Sequence, residues 1–149
     1  MRELVFALEF RGRGGPEPGS PTRRRARTTA PSQVLRTLLA SDGVRAAVEP
    51  LPGESAVLES RVERFPDGTF VEDGTITYGT AGSVTFVTVG RGHVGPPPSG
   101  DGSHGVVMWR ITGGEGYFRG ARGLITSNFT VSADGLVTDD HFTRLYLPE

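Results

Sequence analysis

Residues Ile111 to Gly123, Ile-Thr-Gly-Gly-Glu-Gly-Tyr-Phe-Arg-Gly-Ala-Arg-Gly, constrain this chain more than any other stretch. Five glycines punctuate them, an apolar strand pattern leads in and an alternating one leads out. Glycine at that density marks backbone that needs positive φ or close approach, where a Cβ would clash. Strand, tight glycine-rich corner with an aromatic plug, strand: this is how a small barrel turns at its rim. Phe118 is the expected plug.

The rest of the chain agrees with such a fold. From Ser55 onward the pattern predicts strands at Ser55 to Arg64, Thr69 to Tyr78, Ser83 to His93, His104 to Thr112, Arg122 to Ser132 and Leu136 to Leu147. Pro66-Asp67-Gly68, Thr80-Ala81-Gly82 and Ala133-Asp134-Gly135 suit short antiparallel connections. A first strand runs from Leu4 to Phe10, with Leu4, Phe6, Leu8 and Phe10 on one face. Seven or eight antiparallel strands suffice to close a small barrel with a ligand-sized interior. Residues 11–29, rich in Gly, Pro and Arg, read as a long loop, with a short edge strand at its end as an option. Within it Arg23-Arg24-Arg25 reads as a solvated cluster in preference to an anion-binding patch. Residues 31–42 read as the one helix: Val34, Leu35, Leu38 and Leu39 form a stripe at helical spacing, and Asp42-Gly43 supplies a stop. The main strand region is 55–147, and the 149 residues fit a single domain with one core.

Composition narrows the function classes. A net charge of -1 gives no general field for nucleic acid or anionic membrane. All 16 basic residues are arginine, so a lysine Schiff base is excluded. The absence of cysteine removes disulfides, thiolate nucleophiles and the commonest structural zinc sites. The N-terminal stretch lacks the uninterrupted apolar run of a signal peptide, and no run approaches the ~20 residues of a membrane span, so a cytoplasmic protein is expected.

Several motifs carry less than their form suggests. Gly90-Arg91-Gly92-His93-Val94-Gly95 matches a dinucleotide fingerprint, but a polyproline loop follows it where a helix N-terminus is required. Asn128-Phe129-Thr130 is a glycosylation sequon without a secretion context. His93 and His104 flank the long loop, with Asp101 the nearest third ligand, yet the spacing matches no established metal site, and no metal is expected. His141 stands in an alternating strand beside Asp139 and Asp140, and no serine occupies a nucleophile elbow.

Polar residues on apolar strand faces are the stronger leads. Glu72 shares a face with Phe70, Ile76 and Tyr78; if that face points inward, desolvation raises its pKa toward that of a general acid or base. Arg144 shares a face with Phe142 and Tyr146, and Glu9 with Val5 and Ala7. Strand parity alone leaves open which faces are inside. The candidate catalytic residues are therefore Glu72, Glu9 and Arg144, and the candidate substrate-binding residues Tyr78, Trp109, Asn128, Phe86, Phe129 and Phe142.

Trp109 to Gly123 resembles the signature of the allene oxide cyclase and dirigent superfamily, which has the form I-x-G-G-x-G-x-F-x-x-A-x-G after a strand. Gly82 to Arg91 and the strand Leu136 to Tyr146 are similar too, so the resemblance covers about Pro66 to Leu147. It implies an all-β, eight-stranded, calycin-like antiparallel barrel with an apolar cavity, in a bacterial member of the superfamily that forms a homo-oligomer, dimer or trimer. It also implies cofactor-free chemistry, in which an unstable hydrophobic intermediate is folded by cavity shape and cyclised. Bacterial relatives include barrel cyclases of polyketide-type specialised metabolism. Of the cyclases' first-strand glutamate and asparagine pair only Glu9 has a counterpart, so jasmonate-type cyclisation is not implied.

The reading that results is a cofactor-independent cyclase or isomerase of a hydrophobic small molecule. Glu72 or Glu9 serves as acid/base or electrostatic partner, Tyr78 and Trp109 shape the cavity, and Arg144 or Asn128 anchors a carbonyl or carboxylate. The alternatives are a non-catalytic, lipocalin-like binding barrel, which needs a cavity but no perturbed titratable group, and an oligomeric interaction module with a closed interior.

Overall fold

A computed structural model describes residues 1–149. The chain forms nine strands and no helix: β1 (Arg2–Pro16), β2 (Arg23–Ala40), β3 (Gly43–Arg64), β4 (Thr69–Tyr78), β5 (Gly82–Thr88), β6 (Gly92–Gly95), β7 (Ser103–Gly116), β8 (Arg122–Val131) and β9 (Leu136–Leu147). All pairings are antiparallel, in the order β3-β2-β1-β9-β8-β7-β5-β4-β6, and a β3–β4 pairing closes the sheet into a ring. β5 and β6 share one place in that ring. β4 pairs with β6 through Thr69 and Phe70 and with β5 from Asp73 onward, so eight positions surround the core although nine strands are counted. The strand expected over Ser83 to His93 is broken by a bend at Val89 to Arg91.

The expected helix at 31–42 is absent. Gln33–Ala40 of β2 pairs residue for residue with Gly43–Pro50 of β3, and the chain reverses through Ser41 and Asp42. Asp42-Gly43, read as a helix stop, closes a two-residue hairpin instead. The apolar stripe misled because a short apolar run has no unique period, and the pairing partner at Val44 to Pro50 lies outside the window that defines the stripe. The loop expected over 11–29 is also largely strand: Arg11–Pro16 pairs with Arg24–Thr29, and only about six residues connect β1 to β2.

Residues 31–55 form an arm that leaves the ring at a register shift between Pro31 and Gln33. Where β2 departs, β1 loses its neighbour, and the Gln33 side chain replaces it. Gln33 Oε1 accepts from the Glu9 N–H at 2.7 Å and Gln33 Nε2 donates to the Glu9 carbonyl at 3.4 Å. An unpaired edge is thereby capped by one amide.

The interior has two unlike ends. At the first, the β7–β8 connection tucks Phe118 against Tyr78, which also meets Phe6 edge-on at 5.4 Å. A Cβ on Gly114 would collide with the Phe118 carbonyl, and Gly116 turns the chain at φ +63°. Both glycines are needed to bring the plug in. The middle holds Phe10, Trp109 and Phe86, the last two stacked at 4.2 Å. The other end, where β1 meets β2, β3 meets β4 and β8 meets β9, is open. No helix is long and apolar enough to cross a membrane.

Candidate functional site

At the open end a narrow cavity runs into the ring from a mouth beside Arg24 and Arg64. Phe70, Phe129, Val62, Val131 and Val137 form its apolar walls, and Glu72 and Asp139 are its acidic groups. The space open to the centre of a water molecule is about 70 Å³, against the ~10–15 Å³ that one ordered water requires. It is a slot for a slender molecule.

Glu72 is fixed from its backbone outward. The β4 ladder changes partner between Phe70 and Asp73, so Glu72 has no strand opposite it on that side. Thr88, the last residue of β5, fills the gap. Its Oγ1 accepts from the Glu72 N–H at 2.7 Å and donates to the Glu72 carbonyl at 2.8 Å. The carboxyl points inward, and the surface it retains faces the slot, so it is removed from bulk water although not sealed. Burial pushes it up to about 8. The charges of Asp139 and Asp73 act in the same direction, while Ser60 and Trp109 pull it down without outweighing burial. Ser60 Oγ and Trp109 Nε1 close no hydrogen bond and stay buried and unpartnered beside it. At pH 7 the group is a neutral carboxylic acid, a donor where an ordinary glutamate only accepts.

Asp139 is held differently. Ser127 Oγ donates to Asp139 Oδ1 at 2.6 Å, and His141 Nε2 lies 2.9 Å from Oδ2, where a proton on Nε2 completes the second bond. The histidine ring is wedged between Phe10, at 4.5 Å between centroids, and the edge of Trp109, at 5.0 Å. Serine and histidine both bond to the aspartate, so the three do not form a nucleophilic relay, which requires the histidine between the other two. What the arrangement supplies is a second carboxyl group, held in place by two side chains, near Glu72.

The structure places the sequence-derived candidates in two groups. Glu72 and Phe129 line the slot, Trp109 and Phe86 are stacked in the core and do not line it, and Tyr78 sits at the plugged end. Burial pushes the Tyr78 hydroxyl up, and Thr143 beside it lowers it only in part. Arg144, Asn128, Phe142 and Glu9 are on the outside. Arg144 pairs with Glu3 at 3.1 Å, and Phe142 is 50% exposed. β9 inverts the usual arrangement, with Asp139, His141 and Thr143 inward and Phe142, Arg144 and Tyr146 outward. Glu9 lies opposite Asp140 on the outer face. Burial pushes Asp140 up to about 6, and a hydrogen bond and repulsion from Glu9 add to it. Burial also raises Glu9, but its bonds from Arg11 and Asp140 prevail and leave it lowered. The two carboxyls titrate as a coupled pair outside the ring. Sequence reasoning passed over Ser127, Ser60, Thr28 and Arg64, gave Asp139 no role, and read Arg24 as part of a solvated cluster in preference to an anion-binding patch; for Arg24 and Arg64, period-2 spacing with Thr28 and with Leu58 and Val62 was the available signal.

A shallower depression of about 650 Å³ lies on the outer face, between Leu35 of the arm and Ala7, Val106, Met108, Asn128 and Phe142. No group of three His, Cys, Asp or Glu side chains gathers as a metal site.

A search of solved structures finds a pterocarpan synthase dirigent protein with a TM-score of 0.56. The match covers 99% of this chain and 89% of that one at 14% identity. The fold is that of a dirigent protein. At that identity the likeness speaks for architecture and leaves the chemistry to the residues. No family model matches the sequence, and no curated protein does.

Proposed function

We propose that this chain binds a slender hydrophobic small molecule in the slot and directs its cofactor-independent cyclisation or isomerisation. The observation that carries this reading is a carboxylic acid that is neutral at pH 7, unsatisfied by the protein and facing an apolar cavity. In this account the walls hold the ligand near its reactive conformation, which contributes several kcal/mol without a covalent step. Glu72 then donates its proton to an oxygen that gains negative charge as the ring closes, and regains one from the product or from water. The charge of Asp139 disfavours ionisation of Glu72 in the resting state.

The finer affinity, to allene oxide cyclases and to bacterial barrel cyclases of specialised metabolism, belongs to this proposal and is supported by the Ile111 to Gly123 signature. A dirigent protein described as a pterocarpan synthase shares the fold, which is compatible with ring-forming chemistry here. A cytoplasmic site of action and a homo-oligomer complete the reading. The exposed apolar residues Val106, Met108 and Phe142 of the outer face suit a second copy, and the near-zero net charge opposes no such association.

The competing reading is a carrier that holds the same molecule unchanged. Native mass spectrometry of freshly purified protein identifies a retained compound, and Glu72→Gln separates the two readings. The amide keeps the shape and a donor N–H but cannot surrender a proton. A carrier variant keeps its affinity, and an enzyme variant binds while losing turnover by about 10²–10⁴-fold.

A further inference from the structure

The mouth of the slot carries positive charge that the protein leaves unanswered. Arg24 and Arg64 occupy inner-face positions at the ends of β2 and β3, in line with Ala26 and Thr28 on one strand and Ser60 and Val62 on the other. Both are half-buried. Their neighbours on the outer face are matched: Arg23 pairs with Glu63 at 3.3 Å and Arg25 with Glu17 at 3.1 Å. Glu63 and Glu17 are thus already engaged, and neither Arg24 nor Arg64 has a carboxylate within 4.0 Å. Arg64 is lowered by burial and by the charge of Arg24 beside it, so the two guanidiniums repel one another at the rim.

Two like charges held together and partly desolvated are unfavourable unless an anion joins them. A guanidinium presents a planar fork that matches a carboxylate in two parallel hydrogen bonds. Below the rim the walls are Phe70, Phe129, Val62, Val131 and Val137, which offer nothing to a second charge. We propose that the ligand is an organic acid, whose carboxylate is clamped between Arg24 and Arg64 at the mouth while its narrow apolar body extends down the slot toward Glu72. The clamp fixes which end of the molecule enters first. This rests on the reading of the slot as the ligand site and adds the substrate class to it.

Isothermal titration calorimetry with 2-naphthoate and 2-naphthalenemethanol, matched in body and differing in charge, tests the clamp. The acid is expected to bind the wild-type protein at least about tenfold more tightly than the alcohol at pH 7, with an advantage that shrinks as salt is raised. In the Arg24→Gln/Arg64→Gln protein the acid falls to the affinity of the alcohol, and in Arg27→Gln, an exposed outer-face control, it does not. Equal binding of acid and alcohol to the wild type overturns the clamp and leaves the slot standing. So does a preference that survives in the double variant. Binding of neither compound contradicts the slot as a ligand site and removes the clamp with it. The wild-type comparison decides the matter even where a variant fails to fold.

Discussion

Glu72 owes its chemistry to a fault in the sheet. Because β5 ends at Thr88 and β6 resumes only at Gly92, the ladder opposite Glu72 is missing, and a hydroxyl stands in for a strand. Thr88→Val keeps the shape and removes the hydroxyl. It leaves two backbone groups unpaired, and chemical denaturation should show a loss of about 1–3 kcal/mol. The raised pKa of Glu72 has a consequence of definite sign. The folded protein holds this proton to about pH 8, whereas the unfolded chain releases it near 4.5. Across that window the folded state binds more protons, so this contribution to stability is complete below 4.5 and is lost as pH rises through about 8. Melting temperature should therefore decline with pH more steeply in the wild type than in Glu72→Gln, and parallel curves would contradict the burial of an ionisable group there. Glu72 was legible in the sequence because its face-mates Phe70, Ile76 and Tyr78 are apolar. Asp139 and His141 were not, because on β9 the apolar residues Phe142 and Tyr146 point outward, and parity alone left open which face of the strand is inside.

Among the elements, the glycine-rich segment serves the end of the ring opposite the slot mouth. Phe118 plugs that end against Tyr78, and Gly114 lets the plug approach. Phe118→Ala should cost about 3–5 kcal/mol and open a void beside Tyr78, measurable by thermal denaturation. The segment was readable because backbone geometry forces glycine wherever a chain must come this close to another. The arm at 31–55 was not. Its partner strand lies across a two-residue turn, its residues do not alternate cleanly, and Leu39 is 74% exposed, so neither period nor burial marked it as a strand. Its attachment to the ring is more specific than its sequence suggests, since the Gln33 amide supplies both bonds that β1 lacks at Glu9. Arg24 was set aside for a related reason: a run of three arginines reads as solvated in preference to anion-binding, while a strand sends the middle one inward and its neighbours out.

As a whole the molecule is a ring closed at one end and open at the other, with charge distributed to match: arginines at the rim, a neutral acid within, apolar walls between. The outer face is a second feature of this scale. If it covers another copy of the chain, sedimentation should give more than a monomer, and Phe142→Arg should shift the population toward monomer without altering the far-ultraviolet spectrum. The central claim, a neutral acid in the slot at pH 7, has a built-in reporter. Trp109 is the sole tryptophan, and it lies beside the Glu72 carboxyl. Its fluorescence followed from pH 5 to 10 should show a transition with a midpoint near 8 in the wild type, and Glu72→Gln should abolish that transition. A wild-type midpoint in the ordinary carboxylate range, or a transition that persists unchanged in Glu72→Gln, would contradict it.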